Sequence, residues 1–148
     1  MPIAAPFPKT AALLLAAGLA CAATAASAHP HVWVTAKAQL IYQDGKLVGV
    51  RDTWSFDPEY TAFVTQGLDT NKDGTLAPDE LAGLAAENTA NLAEFGYFTK
   101  LKVGGKDQAF TDPKEPAMRL DGKALVLSFL LPLKAPIQQG RGVAALEV

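Results

Sequence analysis

Apolar and polar positions alternate with period two where the chain first reads as folded: Val32, Val34, Ala36, Ala38, Leu40 and Tyr42 against Trp33, Thr35, Lys37, Gln39 and Ile41. That is strand periodicity. Asp44-Gly45 reads as a tight hairpin turn, and the return strand runs through Val48, Val50 and Trp54 to Phe56. The period then changes. Asp57-Pro58-Glu59 is a helix start, with Asp as N-cap, Pro at the first helical position and an acid in the first turn. Tyr60, Phe63, Val64 and Leu68 fall on one face of that helix, which is expected to run directly into a polar loop. A second helix begins near Pro78, carries Leu81, Leu84, Ala85, Asn88, Leu92 and Phe95 at helical spacing, and ends at Gly96.

Strand signals then resume. Residues 98–103 turn at Gly104-Gly105 into residues 106–110, and Asp121-Gly122 joins residues 117–120 to the long run 124–133. Residues 138–142 read as a loop and 143–148 as the start of another strand. That strand signal stops without a turn or a polar tail, so a longer natural chain with more sheet is expected. The pattern predicts an α+β fold, antiparallel β-hairpins with an inserted EF-hand-like helix–loop–helix at about residues 57–96, and no internal repeat.

The loop between the two helices carries the strongest chemical signal. Asp69-Thr70-Asn71-Lys72-Asp73-Gly74-Thr75-Leu76-Ala77-Pro78-Asp79-Glu80 matches D-x-[DN]-x-[DN]-G-x5-E, the calcium loop of an EF-hand. Calcium takes six to eight hard oxygen ligands at flexible geometry. Asp69, Asn71 and Asp73 offer side-chain oxygens at loop positions 1, 3 and 5, Thr75 its backbone carbonyl, and Glu80 both carboxylate oxygens. Gly74 permits the sharp turn and Leu76 is the residue expected to pack inward. Ala77 stands at position 9, where a water can complete the shell. The alternative is an ion-free polar turn, since Asp, Asn and Gly cluster in turns for local reasons. Such a turn has no reason to place an apolar residue at position 8 and Glu at position 12. Carboxylates brought this close also repel one another without a cation.

The N-terminus reads as a secretory signal peptide over residues 1–28. Lys9 forms a weak basic n-region, residues 11–25 are apolar or small, and Ala26-Ser27-Ala28 is an A-x-A cleavage site. The stretch is too short and too alanine-rich for a membrane anchor. Residues 29–148 are then one exported domain of about 120 residues, periplasmic in a Gram-negative host. Cys21, the single cysteine, lies in the segment to be removed. A lipoprotein site there conflicts with Gly18, where a large aliphatic residue is usual. The mature chain thus has no disulfide and no cysteine metal site. A net charge of -2 without a basic cluster excludes nucleic acid as a partner.

Cleavage after Ala28 starts the mature chain at His29-Pro30-His31-Val32-Trp33, with both histidines of the protein beside a new α-amine. In extended backbone, residues two apart share a face. Imidazole suits zinc, copper and nickel, so His29 and His31 are candidate transition-metal ligands. Pro30 lacks the amide N–H that an amino-terminal copper or nickel motif deprotonates, and no distant histidine exists to complete a copper brace. The alternative is a solvated terminus leading into the first strand. Trp54, Phe56, Tyr97 and Phe98 are read as core aromatics, and Asp57 as a helix cap instead of a metal ligand.

His29-Pro30-His31-Val32-Trp33, Trp54-Ser55-Phe56-Asp57, the calcium loop and Tyr97-Phe98-Thr99 occur together in this order. The combination resembles a bacterial family of exported proteins of unknown function, labelled the periplasmic component of an uncharacterised ABC-type transport system. The resemblance covers essentially the whole mature chain. It implies a metal-linked accessory to nickel, cobalt or zinc transport, with members longer at the C-terminus. Enzymatic activity is not expected: without cysteine, and with histidine only at its start, the mature chain assembles no Ser-His or Cys-His nucleophile. Two readings remain. One is a periplasmic metal-binding accessory holding Ca2+ in the loop and Zn2+, Ni2+ or Co2+ at the histidines. The other is a calcium-stabilised module that docks on a membrane transporter subunit and handles no transition metal.

Overall fold

Two long hairpins and the strand pairing between them organise the protein. The computed structural model describes residues 32–138, 140 and 142–148. The signal-peptide reading, Cys21, His29 and His31 lie outside the described residues. Strand β1 (Val34–Gln43) turns at Asp44-Gly45 into β2 (Lys46–Phe56). Both turn residues have positive φ, 49° and 72°, the backbone that Asp-Gly tolerates and that matches strand twist. Helices α1 (Pro58–Val64) and α2 (Pro78–Asn91) follow, and a 3-10 helix (Leu92–Phe98) continues α2. The chain then forms β3 (Lys100–Val103), β4 (Lys106–Asp107), β5 (Lys114–Asp121), β6 (Ala124–Gln138) and β7 (Ala144–Glu147). Among the described residues every strand pair is antiparallel, in a four-stranded sheet of order β1-β2-β6-β5 and a three-stranded sheet of order β4-β3-β7. The fold is α+β, mostly antiparallel sheet with two α-helices among the described residues.

Side-chain alternation gives the larger sheet two unlike faces. Ala36, Trp54, Leu127 and Met118 stand in one cross-strand row, and Leu40, Val50 and Leu131 in another, both on the inner face. Lys37, Thr53 and Ser128 form a row on the outer, polar face, as expected for an antiparallel sheet packed on one side. The core has two parts. Phe56, Leu81, Ala85, Met118, Leu125, Leu127, Phe129 and Leu131 pack under the helices. Leu47, Val50, Leu101 and Leu133 pack between the two sheets.

Several sequence expectations need correction. Helix α1 stops at Val64, so Leu68 lies past its end in the turn before the loop, and Phe63 is 64% exposed instead of core. The strand expected at 106–110 is only two residues long, and Phe110 makes an isolated bridge to Leu133. Phe98 is half exposed, 54%, although Trp54, Phe56 and Tyr97 do pack in the first core part. Local signals mark where α1 begins but say little about where it stops: its C-terminal Thr65 caps backward, donating its Oγ1 hydrogen bond to the Thr61 carbonyl at 2.8 Å.

Thr61 joins helix to sheet. Its Oγ1 donates to the Asp57 carbonyl at 2.8 Å and accepts the Leu125 N–H at 2.9 Å, in a buried setting. Thr61→Val keeps the shape and leaves the Leu125 N–H without its partner. The expected loss is about 1–3 kcal/mol in urea unfolding, and an unchanged midpoint would show that α1 is not held to the sheet by this bond.

Candidate metal centre

Asp57 starts the helix that leads to the loop. Its Oδ1 accepts the N–H groups of Glu59 and Tyr60, both at 2.9 Å, and its Oδ2 accepts the Trp33 N–H at 2.8 Å. These backbone donors hold its carboxyl below the usual carboxylate range. Asp57 is thus a cap, as its place before Pro58 predicts.

The 69–80 loop folds on its own amide hydrogens. Asp69 Oδ1 accepts from Asp73 N at 3.1 Å and its Oδ2 from Gly74 N at 3.0 Å. Asn71 Oδ1 also accepts from Asp73 N, at 2.9 Å, while Asn71 Nδ2 donates to Asp73 Oδ2 at 3.0 Å. Asp73 Oδ1 takes the N–H and the hydroxyl of Thr75 at 2.8 and 2.7 Å. Gly74 has φ 82°, the left-handed conformation its motif position requires. Glu80 clasps the ends together. Its Oε1 accepts from Thr70 N at 2.8 Å and Thr70 Oγ1 at 2.9 Å, and its Oε2 from Ala77 N at 3.1 Å at the start of α2. Leu76 packs against the core, as its position predicts.

Asp69, Asn71, Asp73, Thr75 and Glu80 therefore lie in one exposed loop, and their oxygens are the hard donors calcium takes. Each carboxylate offers about four lone-pair positions, and the internal bonds do not use all of them. Yet among the described residues no three His, Cys, Asp or Glu side chains converge on one point. The donor set fits a calcium ion. The arrangement seen satisfies the carboxylates with backbone N–H groups, so occupancy requires exchanging part of that network for metal–oxygen bonds.

A second polar feature had no motif to announce it. Asp52 stands on the inner face of β2, opposite Ala38 and Phe129, and is fully buried. Its Oδ2 accepts the Thr99 hydroxyl at 2.9 Å, while its Oδ1 and the neighbouring Trp54 Nε1 have no partner among the described residues. Burial pushes the Asp52 carboxyl up to about 6, against the lowering effect of Thr99. The available signal was an acid at an inward position of the Val50–Trp54 alternation.

Residues 14–148 match a family described as a protein of unknown function (DUF1007). No curated protein and no solved structure matches the chain. Among the described residues, no helix is long and apolar enough to cross a membrane.

The loop acids predict an acid-side transition. Hydrogen bonds from Thr75 hold Asp73, and hydrogen bonds from Ala77 and Thr70 hold Glu80, below their ordinary ranges. Depressed folded values stabilise the protein above the unfolded carboxylate range, near pH 4, and that contribution is lost as pH falls through the folded values. In metal-free buffer, the melting temperature should fall on acidification below about pH 4. Glu80→Gln should make that fall shallower; an identical acid profile would show that the clasp is not linked to folding.

Proposed function

This chain belongs to the DUF1007 family of unknown function, and we propose that it is a non-enzymatic, periplasmic metal-binding accessory linked to metal transport. In this reading Asp69, Asn71, Asp73, Thr75 and Glu80 take calcium. His29 and His31 take Zn2+, Ni2+ or Co2+ beside the α-amine released by signal cleavage. The observation that carries the calcium half is the Glu80 clasp: one carboxylate bonded to Thr70 at one end of the loop and to Ala77 at the other. An ion bound by the same carboxylate would join the same two ends more strongly.

Calcium here is a brace rather than a sensor. Helix α1 is tied to β6 through Thr61 and Leu125, and α2 buries Leu81, Ala85 and Thr89. Each helix is thus fixed by its own contacts, independently of the loop. A sensor needs a helix pair free to reorient on binding. The transition-metal half rests on imidazole chemistry at the mature terminus, and the transport link rests on the sequence resemblance.

The docking-module alternative is favoured by one feature. Phe95 and Phe98 are 57% and 54% exposed and stack with centroids 5.3 Å apart. Exposed, paired aromatics suit a partner surface.

Two measurements test these readings, the first the calcium brace that both share and the second the transition-metal site that separates them. Calcium should raise the melting temperature, and Glu80→Gln should abolish both that rise and calcium binding; superimposable melting curves with and without calcium would remove the brace. In saturating calcium, calorimetric titration of the His29-starting protein with zinc and nickel should give micromolar or tighter binding that is lost in His29→Ala. Heat no greater than dilution would leave the docking module as the better reading.

A further inference from the structure

We infer that Asp52 is a protonation-operated latch: residues 95–99 stay down on β2 and β6 while its buried carboxyl is neutral, and lift when it ionises.

The segment is held in an unfavourable backbone. Gly96, Tyr97 and Phe98 are consecutive left-handed residues, with φ of 60°, 56° and 50°. Glycine adopts that region freely, but tyrosine and phenylalanine do so only when their surroundings impose it. Three contacts tie the segment to the large sheet. Phe98 packs on Trp54 with ring centroids 5.6 Å apart, Tyr97 packs on Phe129 at 6.0 Å, and Thr99 reaches Asp52.

The hydrogen bonds can be counted for each form of Asp52. Thr99 Oγ1 lies 2.9 Å from Asp52 Oδ2 and 3.0 Å from the Tyr97 carbonyl oxygen. A threonine hydroxyl carries one proton, and both neighbours are acceptors when Asp52 is ionised. One of them then goes without a donor. With Asp52 protonated, its own O–H can donate to Thr99 Oγ1 while the Thr99 hydroxyl donates to Tyr97, and all three oxygens are served. Asp52 Oδ1 is buried without a partner, which a neutral carboxyl bears far better than a charged one.

Among the described residues no neighbouring charge offsets that cost. On the flanking strands Asp52 faces Ala38 and Phe129, with Leu40, Val50 and Leu131 in the next row of the same face. From the helix end and β3 come Tyr97, Thr99 and the buried Leu101. Arg51 occupies the opposite face and pairs with Glu115. The Tyr97 phenol is raised by burial and by Asp112, hence neutral at these pH values. At Asp52 itself burial, which raises the carboxyl, outweighs the Thr99 hydroxyl, whose bond favours the charged form.

The direction follows by linkage. The closed form binds the proton more tightly than a solvated carboxyl, so it is favoured at low pH and loses that preference as pH rises through about 6. Across the interval from the ordinary value to about 6, the open-to-closed ratio rises up to ~100-fold. Lifting would relax Tyr97 and Phe98, admit water to Asp52, and connect two cavities of about 630 and 420 Å³ that share Gly96, Thr99, Lys100 and Glu147 in their walls.

Trp54 reports the latch. Trp33, 78% exposed, is replaced by Phe so that Trp54 is the single tryptophan, and acrylamide quenching is measured from pH 4.5 to 8 in excess calcium. Quenching should rise severalfold with a midpoint near pH 6 and unchanged far-ultraviolet circular dichroism. Asp52→Asn, which cannot ionise, should hold Trp54 protected throughout, and Thr99→Val, which removes the bond that favours the carboxylate, should move the midpoint upward. Amide exchange at residues 97–99 in the parent protein, faster at pH 8 than the intrinsic pH dependence accounts for, gives the same answer without a variant. A pH-independent quenching constant in the parent, or a midpoint that persists in Asp52→Asn, would overturn the latch. The same midpoint in Glu80→Gln is expected, because the loop is not part of it.

Discussion

The antiparallel pairing of β2 with β6 is the contact on which the other parts rest. It joins the first hairpin to the third and sets the register that puts Val50, Trp54, Leu127 and Leu131 on one face. That face is the floor for everything else. The helices cover one part of it through Leu81 and Ala85, and the small sheet covers another through Leu101. A slip of one residue would turn Arg51, Thr53 and Ser128 inward. The candidate metal loop has no core of its own and inherits its position from α1 and α2, which sit on this floor.

The loop shows how one set of residues can serve two demands. Backbone N–H groups in a tight turn need acceptors, and Asp69, Asn71, Asp73 and Glu80 supply them from within the loop. The same oxygens are what a calcium ion would recruit. Their internal bonds reduce the repulsion among acids and preserve the turn without an ion. Binding therefore amounts to replacing donors around a formed loop, at a smaller ordering cost than folding a disordered one.

Much of this was legible because it is local. The Asp44-Gly45 turn, the Asp57-Pro58 helix start and the left-handed Gly74 each follow from residues within a few positions. The arrangement of strands was not legible, since nothing near β1 states that β6 will lie on the far side of β2. Asp52 was missed for a related reason. Its burial comes from Phe129 and Thr99, far along the chain, and a single acid in a strand pattern looks like an outward residue. Phe63 and Phe98 failed in the opposite sense: their apolar character suggested core, but α1 ends one residue after Phe63 and the left-handed backbone turns Phe98 toward the surface.

The β2–β6 pairing also has a kinetic meaning. Between these two strands in the chain lie both helices, the acidic loop, the small hairpin of β3 and β4, and β5. The sheet cannot close until its ends meet across all of that intervening chain, and closing a long loop is paid in entropy before any contact rewards it. The acidic loop and the hairpins are stabilised by near neighbours, so they can form first and shorten the path that remains. Loop length thereby sets an order in the topology: turns and helix–loop–helix close the shortest loops, and the central strand pair closes the longest.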